Sequence, residues 1–137
     1  MLKILPLLIV ALAAVGVLWV RLAGDDPARW HQVSEVRDMG HAAGENWHVY
    51  REAGTPARLQ ELDAAVRALP RTERLAGSVD AGKVTYVTRS KLMAFPDYTT
   101  LSLSDDGVIE VFARSRYGKS DLGVNRARVL GLPGIVE

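Results

Sequence analysis

Tyr98-Thr99-Thr100-Leu101-Ser102-Leu103-Ser104-Asp105-Asp106-Gly107-Val108-Ile109-Glu110-Val111-Phe112-Ala113-Arg114 reads as two alternating runs joined by a turn. Two registers compete. A two-residue loop at Asp106-Gly107 sets Leu103 against Glu110 and Ser102 against Val111, mixing the faces. A three-residue loop, with Gly107 left-handed in a bulge, sets Leu103 against Ile109, Leu101 against Val111 and Thr99 against Ala113. Ser102/Glu110, Thr100/Phe112 and Tyr98/Arg114 then share the opposite face. Side chains alternate along a strand, so a one-residue slip would exchange the two sets. Only the second register keeps apolar and polar residues apart, and it predicts an antiparallel hairpin with one buried face.

Working outward, Lys83–Arg89 is rich in Val, Thr and Tyr and reads as a strand, as do Thr72–Val79 and Trp47–Arg51. Thr55-Pro56 is a helix start, with Thr as cap and Pro at the first helical position. Leu59, Leu62, Val66 and Leu69 follow at helical spacing, and Pro70 stops the helix. Beyond the hairpin, Ser120 is expected to cap a last helix, with Asp121 in its first turn. Its core stripe would be Leu122, Asn125, Val129 and Leu132. The pattern is an α+β domain over 47–137: strand, helix, antiparallel strands, helix, with the two helices on one face of a curved sheet. Residues 24–46, polar and broken by Gly40 and Gly44, are expected as a linker or N-terminal extension.

Residues 1–23 are a different material. The chain is 48% hydrophobic overall, but Ile4–Val20 holds no charge and is flanked by Lys3 and Arg21. A helix there spans roughly 25 Å, near the minimum for a bilayer. Trp19 sits where interfacial aromatics belong. The reading is a retained transmembrane anchor, with the lipid bilayer contacted through residues 4–20. A cleaved signal peptide and a buried core helix are the alternatives, but cutting after Ala11-Leu12-Ala13 would leave Val15–Val20 as an apolar tail, cutting after Ala23 puts Arg21 at an unfavourable position, and a uniformly apolar run has no polar face to show water. Leu22-Ala23-Gly24 looks like the start of a lipoprotein box, yet Asp25 stands where the lipidated Cys must be. Lys3 and the α-amine nearly balance Arg21 and Arg29, so orientation rests on the commoner bacterial arrangement: inner membrane, single pass, domain in the periplasm.

Other classes are excluded or disfavoured. Net charge is +1, without the basic excess of a nucleic-acid binder. There is no Cys, hence no disulfide, thiol nucleophile or Cys-ligated metal. His31, His41 and His48 lack metal-ligand spacing, no nucleotide-binding motif is present, and no cofactor is expected.

The run Ala113–Val129 resembles the C-terminal signature of the DUF1499 family. Ser115-Arg116, Gly118, Ser120-Asp121, Gly123, Asn125 and Arg128 stand at the family's offsets, and Arg89-Ser90…Phe95-Pro96-Asp97 is similar to an earlier segment of it. The resemblance covers about residues 56–132. Members are often membrane-anchored or exported, which implies the same here and implies no chemistry.

Two groups of residues stand out as candidate sites. Ser120, Asp121, Gly123 and Asn125 invite a hydrolase reading, but a structural role explains them better. Ser120 caps, Gly123 permits close packing, Asn125 satisfies strand-end carbonyls, and Arg128 pairs with Asp121 or Asp97. The second group is basic. Arg114, Arg116, Lys119, Arg126 and Arg128 oppose only Asp121, suiting anionic headgroups or an acidic partner. Tyr98 and Phe112, with Arg114 on the hairpin's outer face, make a candidate interface, unless the segment carrying Trp30 covers it. The expected function is a membrane-anchored, non-catalytic domain binding a protein partner, as an accessory subunit of a membrane complex. The alternatives are a binder of lipid or apolar small molecules between sheet and helices and, behind it, a hydrolase.

Overall fold

A computed structural model describes residues 4–137. Helix α1 (Ile4–Leu22) leads into a short helix α2 (Pro27–Trp30), whose N-cap Asp26 accepts from the Ala28 amide at 3.0 Å. Strands β1 (Gly40–Ala43) and β2 (Trp47–Ala53) follow, then helix α3 (Pro56–Arg67). Strands β3 (Thr72–Ser78), β4 (Lys83–Arg89), β5 (Pro96–Leu103) and β6 (Val108–Ser115) complete one six-stranded sheet, and helix α4 (Val124–Leu130) ends the fold.

The order across the sheet is β1-β2-β6-β5-β4-β3, all antiparallel. The β5–β6 register is the segregating one: Leu103 faces Ile109, Leu101 faces Val111 and Thr99 faces Ala113. Gly107, at φ +79°, supplies the left-handed turn residue. The α+β expectation holds, with α3 and α4 on one face. Thr55 caps α3 through its hydroxyl, which accepts from the Arg58 amide at 3.3 Å. Between helices and sheet, Leu59, Leu62 and Val66 of α3 and Val129 of α4 close over Val84, Leu101, Ile109 and Val111, all of them at most 1% exposed.

Three local readings change. Residues 24–46, expected as a linker, are part of the domain: they form α2 and edge strand β1, and the stretch between crosses the sheet's second face. The last helix starts at Val124 rather than after Ser120, because Leu122 (φ +53°) and Gly123 (φ +80°) are both left-handed and interrupt a right-handed helix. Leu122 therefore leaves the core stripe and is 91% exposed, while Asn125, Val129 and Leu132 stay buried.

Gly107→Ala should cost about 1 kcal/mol or more in urea unfolding, since the turn needs a positive φ, whereas Leu101→Ala should cost about 2–5 kcal/mol as a core truncation. Equal, negligible effects would contradict this packing.

Candidate functional site

The second face of the sheet is polar and buried. Thr85, Thr100, Ser102, Glu110 and Arg114 are each at most 9% exposed, so each needs a partner. Residues 24–36 supply the cover. The Trp30 ring stacks on Tyr98 at 4.1 Å with 11° between planes, and Val87 packs beside them. The Trp30 carbonyl accepts from the Arg114 guanidinium, which also donates to the Thr100 hydroxyl at 3.0 Å. His31 Nδ1 meets the Thr85 hydroxyl at 2.8 Å. Glu110 accepts from the Ser34 amide and hydroxyl at 2.7 and 2.9 Å. Arg51 donates to the Val36 carbonyl at 2.8 Å and lies 3.4 Å from Glu110. Burial pulls Arg114 down to about 10, so it remains a cation at neutral pH, offset by Glu110.

At the head of this segment Asp25 is clamped. Its carboxylate accepts from the Arg89 guanidinium and the Tyr98 hydroxyl, each at 2.6 Å, and Arg116 lies 3.9 Å away. Arg116 also donates to the Gly24 carbonyl at 2.9 Å. Burial and the bond to Asp25 push the Tyr98 phenol up to about 12. The position that a lipidated Cys would occupy is thus a structural carboxylate.

The signature residues form a joint. Asp121 accepts from the Gly123 and Asn125 amides at 2.9 and 3.1 Å, and those bonds hold its carboxyl below the usual range despite burial. Asn125, with no exposed surface, donates to the Asn46 carbonyl and the Ser115 hydroxyl at 3.0 Å each. Its own carbonyl accepts from Arg128 at 2.8 Å, and Arg128 also donates to Asp97 at 2.9 Å. Asn125 so ties α4, the end of β6 and the β1–β2 turn together. Ser120 is not a helix cap. Its hydroxyl accepts from the Leu122 amide at 3.2 Å.

The basic group is dispersed. Arg114 is buried, Arg116 holds Gly24, Arg128 holds Asp97, and Arg126 pairs with Glu137. Lys119 is exposed. Of the two alternatives for the hairpin's outer face, cover by the segment carrying Trp30 holds: Tyr98 and Arg114 lie under Trp30 and are 0% and 6% exposed. Phe112 remains half-buried and meets Trp47 edge to face at 6.4 Å.

The sequence reading missed one pair. His41 and His48, seven residues apart, meet across β1 and β2 at 2.9 Å. His41 Nε2–H donates to the Val136 carbonyl at 2.8 Å, so His41 Nδ1 accepts from His48 Nε2–H. Among the described residues His48 Nδ1 is buried without a partner, and no cluster of three or more potential metal ligands occurs. Spacing rules for helices and loops do not reach a diagonal pair on a strand that was not expected.

With the fold and these contacts in place, the class is an α+β domain carried behind one helix long and apolar enough to cross a membrane. The chain belongs to the DUF1499 family, described as proteins of unknown function, whose pattern matches residues 24–132. The match starts at Gly24 and so takes in the Asp25 clamp and the Trp30 segment. No curated protein matches the chain.

Asn125→Ala leaves a buried carbonyl and hydroxyl short of a donor and should cost about 2–3 kcal/mol in urea unfolding. A change within a few tenths would remove its role as a joint. Burial lowers His48, assisted by His41 and Arg126, and burial likewise lowers His31, with Lys83 and Arg114 adding to it. The unfolded chain then binds protons that the folded one refuses. Stability should be complete above about pH 6.5 and fall as pH drops through that value. Urea midpoints at about pH 8 and about pH 5.5 check this, and an unchanged midpoint would contradict it.

Proposed function

We propose that the chain is a single-pass protein of the bacterial inner membrane. Its domain lies in the periplasm and binds a protein partner as an accessory subunit, without chemistry of its own. The observation that carries this reading is an open groove of about 400 Å³ beside the Trp30 segment, lined by Arg29, Trp47, Phe112 and Arg116 among others. Arginine and aromatic side chains on a rigid wall are the residue types that anchor protein interfaces. Arg29 is exposed and its guanidinium lies 4.7 Å from the centre of the Trp30 ring.

Two further observations support the choice over its rivals. The polar signature residues spend their hydrogen bonds on the joint around Asn125, leaving the Ser120 hydroxyl bonded to a backbone amide rather than to a base. The space between sheet and helices, where an apolar ligand would sit, is filled by twelve buried side chains.

Full-length protein should co-purify with a partner from mild detergent. Arg29→Glu combined with Phe112→Ala should abolish that association while leaving the melting temperature within a few degrees. A wild-type protein that runs alone as a monomer would overturn the reading.

A further inference from the structure

The two ends of the sheet differ in chemistry. At one end lie the loops 53–55, 79–82 and 104–107, whose charged residues are Asp80, Asp105 and Asp106. At the other end lie residues 44–46, 68–71, 90–95 and 116–123, where Arg71, Lys91, Arg116 and Lys119 outnumber Glu45 and Asp121. This basic end also presents apolar side chains to solvent. Leu92 is 80% exposed, Leu122 91%, Met93 40% and Phe95 38%. All three described non-glycine residues with positive φ, Arg71, Ala94 and Leu122, sit there too. Backbone strain at an exposed apolar loop is a cost that packing within the domain does not explain.

Helix α1 leaves from the same end and is fastened to it along its last turns. Trp19 meets Tyr117 edge-on at 6.1 Å, Tyr117 meets Phe95 at 5.9 Å, Arg21 reaches the Leu92 carbonyl at 3.4 Å, and Val20 is buried. Length then decides depth. Nineteen residues of α1 span about 28 Å, barely the thickness of a bilayer's hydrocarbon core, so none of the helix is spare. Loops that touch it at the level of Trp19 stand one turn below its end, within the interfacial layer.

We infer that this end of the domain is seated in the bilayer surface. Leu92, Met93, Phe95 and Leu122 enter the boundary between headgroups and acyl chains, and Arg71, Lys91 and Lys119 face anionic headgroups. Apolar tips beside basic residues are the composition of interfacial membrane contacts. The inference rests on the proposal that α1 spans the membrane and goes beyond it, since an anchored domain on a free tether would keep these loops in water.

The absence of Cys makes the test clean. Single substitutions Leu92→Cys, Leu122→Cys, Asp105→Cys and Leu12→Cys would each carry the fluorophore NBD. The full chain would sit in vesicles of phosphatidylethanolamine and phosphatidylglycerol that contain a doxyl-labelled lipid. The probes at 92 and 122 should emit to the blue of the probe at 105 and be quenched several-fold more strongly. Probes at 92 and 122 quenched no more than the one at 105, with the probe at 12 quenched, would overturn the immersion and leave the anchor standing. An unquenched probe at 12 would overturn the anchor and this inference with it.

Discussion

The carboxylate of Asp25 is the constraint on which the second half of the fold depends. It sits three residues beyond α1 and is held at 2.6 Å by both Arg89 and Tyr98. Charge-assisted bonds of that length, at a site shielded from water, fix direction as well as position. Once the chain is pinned there, Asp26 starts the turn of α2, and that turn lays Trp30 on the ring of Tyr98. The Trp30 carbonyl is then in place for Arg114, and the following residues reach Thr85 and Glu110. A sheet face that would otherwise have to be solvated is covered by an irregular segment whose polar groups match those beneath it one by one.

That mode of cover also explains which features could be read in the sequence. The β5–β6 register was legible because a period of two gives only one solution that separates Leu101, Ile109 and Val111 from their polar neighbours. Helix α3 was legible because Thr55-Pro56 and the spacing of Leu59, Leu62 and Val66 agree. The Trp30 segment was not, because contacts from Trp30, His31, Ser34 and Val36 follow no period. Whether Tyr98 and Arg114 were exposed or covered stayed open for the same reason. Alternation assigns them to the face away from the helices but does not say that another segment buries it. The start of α4 was misplaced because Ser120-Asp121 has the composition of a cap. The left-handed Leu122 and Gly123 instead hand the capping to Asp121 from further back.

The DUF1499 signature gains a physical meaning from this arrangement. Its Asn, Asp and Arg positions are spent on a junction between α4, β6 and the β1–β2 turn, and the earlier Arg–Asp segment supplies Arg89 to the clamp and Asp97 to Arg128. These residues hold a shape. They link the exit of α1 to the loops around it through Asp25, Arg89, Arg116 and Asp97.

The attachment of α1 to the domain can be measured directly. Spin labels at positions 18 and 120 of the full chain, in lipid nanodiscs, report the distance between the last turns of α1 and the signature loop. The account predicts a narrow distance distribution that broadens markedly in the Asp25→Ala background. A broad distribution with Asp25 present, or a narrow one that persists without it, would contradict the clamp.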